Sequence, residues 1–301
     1  MRAHKDAPDL SFMTSPLTKL GLATGQFGLD GATPARGRPR DVEAREILSI
    51  AARSGLNVLE VGRHSAPAET QIGQVLPRPA PFRITVTTVR PDRGPDFAEA
   101  EIRGQLRRLG VERVDTILAP SATDLLSPLG PALWDRLRAL RDGGLCNRIG
   151  VSVYASDDPV RLARRFKPDV VQAPASLLDQ RLLIDGTLSE LREMDIEVQL
   201  RSIFLNGVLF LPPDRAPSHL KAAAGRISRA RRLIAEGRSD PLQAALGFAL
   251  SRPEASTVLV GVTSAAEMSA VVAAAASPPP DLNWDEMAID DPEALGAWAA
   301  A

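Results

Sequence analysis

The chain has one cysteine, Cys146, so no internal disulfide can form and a reducing compartment is the natural setting. Phenols are equally scarce: Tyr154 is the only tyrosine in 301 residues. Of the 36 basic residues only Lys5, Lys19, Lys167 and Lys221 are lysines, which limits the places where a lysine can take part in chemistry. The three histidines, His4, His64 and His219, are scattered, and their spacing builds no metal site. An excess of one charge is also missing. The net charge of −1 excludes the basic footprint of a nucleic-acid binder or of a protein held on an anionic membrane. No run approaches the roughly 20 apolar residues that cross a bilayer. The opening MRAHKDAPDLSFM has no apolar stretch of signal-peptide length. These absences predict a cytoplasmic protein whose partner is a small molecule, and they leave any protein partner unspecified.

What the sequence does contain is alternation. Reading β-branched runs as strands and 3.6-residue periodicity as helices predicts strands at Leu17–Thr24, Asn57–Val61, Arg83–Thr88, Val114–Ala119, Arg148–Ser152, Asp169–Gln172, Glu197–Arg201 and Thr257–Val260. The intervening helices are predicted at Asp41–Arg53, Ala68–Leu76, Asp96–Leu109, Pro131–Asp142, Asp158–Phe166, Asp185–Met194, Pro241–Ser251 and Ser264–Ala275, with Asp41 and Asp240 as N-caps. A basic amphipathic stretch, Leu220–Glu236, predicts one extra helix inside a long loop. Eight βα units in one chain predict an α/β protein of a single domain, a (β/α)8 TIM barrel. The alternative is a doubly wound sheet, but no G-x-G-x-x-G follows the first strand. The chain divides into an N-terminal extension (1–16), the barrel (17–276) and an acidic tail (277–301). That tail holds no Lys or Arg and is predicted to press Trp284 and Trp298 onto the barrel.

Several motifs sit at the expected strand ends. They are GLNVLEVGRHSAPAETQIGQVL (Gly55–Leu76), RIGVSVY (Arg148–Tyr154), VVQAPASLLDQRLL (Val170–Leu183), RSIFLNGVL (Arg201–Leu209) and VLVGVTSAAEM (Val258–Met268). In this order they resemble the aldo-keto reductase superfamily, in a branch near the bacterial sugar dehydrogenases. Glu69, Gly73 and Leu76 keep the family's Glu-x-x-x-Gly frame on the second helix.

The resemblance implies a catalytic tetrad at the barrel mouth. A tyrosine donates a proton as hydride arrives from a nicotinamide, a lysine lowers its pKa, an aspartate supports the lysine, and a histidine orients the carbonyl. Followed into this chain, the four positions fall on Glu60 (aspartate), Ser65 (tyrosine), Thr88 (lysine) and Pro120 (histidine). Tyr154 follows the fifth strand, in the wrong loop for the acid, and no lysine lies near the end of the third strand. His64 is either a substitute acid or a solvated loop residue. Glu60 is either an unpaired carboxylate or one neutralised by Arg63 or Arg90.

The resemblance also implies a dinucleotide pocket, formed by NAD(P)-binding positions. Ser152 and Gln172 match groups that hold the nicotinamide amide, or are ordinary polar strand-end residues. The loop Arg201, Ser202, Asn206 and Gly207 matches the segment facing the diphosphate. Gly261, Thr263, Ser264 and Glu267 match the adenosine end. Thr263 stands where the family carries an arginine for the 2′-phosphate, so NAD is expected over NADP. No metal cofactor is expected. The functional expectation is a member of this family with part of an NAD(P) pocket and a degenerate tetrad, a pseudoenzyme for ordinary carbonyl reduction. Three alternatives stand beside it: an oxidoreductase of a sugar-like carbonyl or alcohol with a substitute acid, a non-redox lyase or isomerase, and a non-catalytic scaffold.

Overall fold

The computed structural model describes residues 15–28, 38–62, 65–211 and 223–289, together with Leu295. Eight strands run parallel and close in chain order: β1 (Leu20–Ala23), β2 (Val58–Val61), β3 (Arg83–Thr87), β4 (Val114–Ala119), β5 (Cys146–Ser152), β6 (Val170–Pro174), β7 (Glu197–Arg201) and β8 (Ala255–Gly261). Because β1 pairs with both β2 and β8, the sheet has no edge, and the doubly wound alternative is excluded. Around it lie α1 (Asp41–Arg53), α2 (Ala66–Val75), α3 (Pro95–Leu109), α4 (Ala122–Leu126), α5 (Gly130–Asp142), α6 (Pro159–Phe166), α7 (Arg181–Ile184), α8 (Thr187–Glu193), α9 (Ala224–Glu236), α10 (Pro241–Leu250) and α11 (Ala265–Ala276).

The departures from the sequence pattern have local causes. Pro16 sets up a 3₁₀ turn over Pro16–Lys19, so β1 begins three residues later than its apolar run. Asp41 does not cap α1. Arg40 takes the cap position, and the Asp41 carboxylate accepts instead from Gln71 Nε2 at 2.7 Å, tying α1 to α2. Asp240 does cap α10, accepting from the N–H groups of Leu242 and Gln243. β5, β6 and β8 outrun their β-branched cores because ladder pairing with their neighbours, rather than side-chain type, fixes their ends. The short α4 and α7 have too few turns to show periodicity in sequence.

The two faces of the barrel wall differ. Its outer side chains (Leu22, Leu59, Val61, Val86, Ile117, Ile149, Val171, Val198 and Val260 among them) join the helices in one continuous apolar cluster. Strand alternation turns the other set inward. That set includes Glu60, Thr85, Thr87, Thr116, Ser152, Gln172, Gln199 and Thr257, all buried. Val58, Leu118, Val170 and Leu259 are buried yet stand outside the apolar cluster, as plugs within the barrel. Gly21 faces these plugs, and a Cβ there would come within 2.8 Å of Leu259.

The motif residues Glu69 and Gly73 turn out to join α2 to α3. Glu69, fully buried, accepts from Arg108 Nε at 2.6 Å and Gln105 Nε2 at 3.1 Å. Gly73 lies so close to α3 that a Cβ would stand 2.1 Å from the Arg108 carbonyl. Past α11, Trp284 packs edge-on against Phe248 with ring centroids 5.7 Å apart. Its carbonyl accepts from Gln180 Nε2, and the Ile289 N–H donates to the Leu178 carbonyl. Trp298 lies outside the described residues.

Candidate active site

In a barrel of this kind chemistry is built from the loops at the C-terminal ends of the strands. There the singled-out residues fall into three groups. The first spans the ends of β2, β3 and β4. Glu60 is buried on β2, and its backbone carbonyl accepts from both the N–H and the Oγ1 of Thr24. Ser65 begins α2. Its hydroxyl accepts from the Ala68 N–H at 3.5 Å while its own N–H donates to Glu69, so it serves as a helix cap. Thr88 follows β3, with its N–H on the Leu118 carbonyl and its Oγ1 buried without a partner among the described residues. Pro120 follows β4 and carries no polar side chain. Arg63 and His64 lie outside the described residues.

Arg90 is placed differently from the sequence expectation. It pairs with Asp124, Nε to Oδ1 at 3.0 Å, rather than with Glu60. Asp124 is held from the other side by the Ser121 hydroxyl at 2.6 Å, and Ser121 in turn caps α4. Sequence reasoning missed this trio, although the spacing Ser121-x-x-Asp124 is a capping signature.

The second group spans β5 to β7. Register places Ser152 beside Gln172, and the Ser152 hydroxyl donates to Gln172 Oε1 at 3.4 Å. Gln172 Nε2 is then left buried without a partner among the described residues. A buried amide of this kind calls for an acceptor oxygen. Above it, Arg201 at the end of β7 donates to the Val153 carbonyl at 2.8 Å and to the Ser202 hydroxyl at 3.3 Å. Its guanidinium lies 4.6 Å from the ring centre of Tyr154. The only tyrosine is thus covered by a cation at the β5 end. Of the loop after β7, the Leu205 and Gly207 N–H groups are consumed by 3₁₀ bonds to the Ser202 and Phe204 carbonyls. The side chain of Asn206 lies outside the described residues.

The third group is the β8–α11 connection. Gly261 packs against Gln26, and a Cβ at Gly261 would come within 2.3 Å of that side chain. Ser264 caps α11 by accepting from the Glu267 N–H at 3.1 Å. Glu267 Oε2 accepts from the N–H and hydroxyl of Thr263, at 2.8 and 3.1 Å.

Two further features lie away from the mouth. Lys19 donates to the Leu250 and Arg252 carbonyls at the opposite end of the barrel. There burial, followed by the Arg192 charge, lowers the pKa of its ammonium. A cleft of about 280 Å³ also opens at that end, between Phe82, Arg83, Val111, Arg113, Asp115 and Asn147. This is the face that barrels use for stability, so it is set aside as a catalytic centre. Among the described residues no three His, Cys, Asp or Glu side chains converge to hold a metal ion. Among them also no helix is long and apolar enough to cross a membrane.

No match to a curated protein sequence was found. Among solved structures, the chain is similar to an aldo-keto reductase from Bacillus halodurans in its holo form, with a TM-score of 0.71 and 18% identity, covering 93% of this chain and 91% of that one. It is also similar to a Pseudomonas aeruginosa protein described as a putative aldo-keto reductase, with a TM-score of 0.63 and 19% identity over 86% and 90% of the two chains. At such identities these likenesses establish the barrel alone. The model of the aldo/keto reductase family matches residues 19–289, nearly the whole barrel and the start of the tail, and the chain belongs to that family.

Proposed function

We propose that this protein binds a nicotinamide dinucleotide at the barrel mouth, with NAD(H) preferred, and lacks the machinery for ordinary carbonyl reduction. The family generally binds NAD(P)H. The observation that carries the reading is the placement of the scarce residues. The only tyrosine lies under Arg201 at the end of β5. Lys19 is bound to carbonyls at the far end of the barrel, and Lys167 follows α6. The hydroxyl of Ser65 is engaged as a helix cap. No phenol and ammonium stand together at the ends of β2 and β3 among the described residues. Loss of acid–base assistance lowers a rate by roughly 10²–10⁴-fold.

On the binding side, Gln172 Nε2 supplies a buried donor in need of an acceptor, as a carboxamide oxygen would provide. The dinucleotide supplies hydride chemistry when bound, and the residues named here hold and orient it. Thr263 in place of a cation supports NAD(H) over NADP(H).

The test is a calorimetric titration with NADH and NADPH, followed by turnover assays on aldehydes, quinones and aldoses. Binding of NADH with negligible turnover is the expected result. Turnover of several per second on any of these carbonyls overturns the degenerate-site reading, and absence of dinucleotide binding overturns the cofactor reading.

A further inference from the structure

The cleft at the N-terminal ends of the strands has a lining of two kinds. It opens between the starts of β3, β4 and β5, beside the chain leaving α3, and holds about 280 Å³. Phe82, Ile84, Val111 and Val114 give it an apolar wall, and Arg83, Arg113, Asp115 and Asn147 a polar one. The volume lies at the lower end of small-molecule pockets and admits one ring with a short polar group.

The polar wall is short of negative charge. Three guanidiniums, Arg83, Arg113 and Arg148, meet two carboxylates, Asp115 and Glu197, in one connected network. Arg148 takes both carboxylates. Arg83 reaches only Glu197, by Nη1 at 3.4 Å, on the same oxygen that Arg148 holds more closely. Its Nε is buried with no partner among the described residues. Arg113 pairs with no carboxylate among those residues, and its Nη2 donates to the neutral Asn147 Oδ1. Glu112, beside it in sequence, is exposed and stands outside the lining. One positive charge is thus unmatched next to an apolar wall, and a guanidinium so placed favours a carboxylate partner.

We propose that this cleft is a second binding site, for a small monocarboxylate with an apolar ring as its body. The ring lies along Phe82 and Val111, and the carboxylate meets Arg83 and Arg113. A neutral molecule of the same shape lacks the ionic half of this fit, and a bare carboxylate ion lacks the apolar half. On this face of a barrel the site binds and does not react. It lies at the opposite end from Ser152 and Gln172, so it stands independently of the dinucleotide reading. Occupancy stabilises the folded chain by mass action.

Benzoate is the probe, with benzamide as the uncharged body and acetate as the bare charge. Each is titrated into the full chain by calorimetry, with thermal melts alongside. Benzoate should bind with a Kd of about 1 mM or below and raise the melting temperature. Benzamide and acetate should bind at least about tenfold more weakly. Two variants locate the site. Arg113→Gln removes the unmatched charge, and Val111→Phe fills the space while leaving every charge in place. Each should weaken benzoate by about tenfold or more, with the melting temperature of the free protein held. Absence of benzoate binding, benzoate no tighter than benzamide, or an affinity unchanged by Arg113→Gln overturns the proposal. Should Arg113→Gln lower the melting temperature of the free protein, Val111→Phe decides. Weaker benzoate in that variant upholds the site, and unchanged benzoate overturns it.

Discussion

Cys146 illustrates how a residue type acquires its behaviour from its place. It opens β5 with its side chain buried. Burial raises the thiol to about 11, outweighing the neighbouring Arg141 charge. The thiolate is the reactive form. Native protein at pH 7.5 should therefore label with a thiol reagent many times more slowly than the chain in guanidinium. Fast stoichiometric labelling of the folded protein would show that the strand end opens. The sequence shows that Cys146 is alone, but its burial at the strand end comes from the barrel.

Other residues were legible only by type. Gln172 and Ser152 could be placed at strand ends, but their mutual bond, and the orphaned Nε2 it leaves, need the register of β5 on β6. Glu43 gave no local signal at all, because its partner, the Ala265 N–H, lies 222 residues away. The bond that ties Glu267 Oε2 to the Thr263 hydroxyl was likewise not legible from residue type.

At the scale of elements, the frame that carried the family likeness is a structural joint. Glu69 accepts from Arg108 and Gln105 where Gly73 lets α2 press on α3. Arg108 is about a quarter exposed, so it rehydrates in part when its partner is lost. Glu69→Ala should therefore lower stability by about 2–4 kcal/mol, below the full cost of a stranded buried charge. Gly73→Ala should destabilise as well, by forcing the two helices apart. Denaturant melts of both variants check this, and an unchanged midpoint for either would refute the joint.

A second element-scale device lies at the N-terminal ends of the strands, where Arg148 on β5 bridges Asp115 on β4 and Glu197 on β7. Burial alone would raise the Asp115 carboxyl. The hydrogen bonds and charge of Arg148, with help from Thr116 and Asn147, hold it below the ordinary carboxylate range. A depressed native pKa gives stability that is present above the unfolded value of about 3.9 and is lost as pH falls through the native value. Wild type should thus lose stability below about pH 4. Asp115→Asn should be less stable at pH 7 yet show a shallower acid limb. Parallel acid limbs for the two proteins would show that Asp115 titrates normally. The alternation of strands and helices made these elements legible. Their network of charges was not, because the pairing of Arg148 with Asp115 and Glu197 depends on how three separate strands are brought together.

On the scale of the whole molecule, a closed barrel fixes the directions of its strand ends independently of what those ends carry, so the scaffold and the chemistry can be tested apart. Glu60, Ser65, Thr88 and Pro120 sit on β2, the start of α2, and the ends of β3 and β4, around one side of the mouth. Across from them stand Ser152 and Gln172. If the reading of these four positions is right, Glu60→Asp, Ser65→Tyr, Thr88→Lys and Pro120→His together place an acid, its tuning ammonium, a supporting carboxylate and an imidazole at that side. Such groups act as a unit, so each single replacement should leave carbonyl reduction at background. Thr88→Lys alone should also cost stability, because Thr88 is 3% exposed and an ammonium there lacks a shorter carboxylate beside it. The Ser65→Tyr change removes the α2 cap, a loss of about 1 kcal/mol that the barrel should survive. The quadruple variant, folded by circular dichroism, should reduce simple aldehydes with NADH at a rate measurably above wild type. A folded quadruple variant that binds NADH and still fails to turn over would show that the four positions are misassigned. One that binds no dinucleotide would instead place the defect on the β5–β7 side, at Ser152, Gln172 and Arg201.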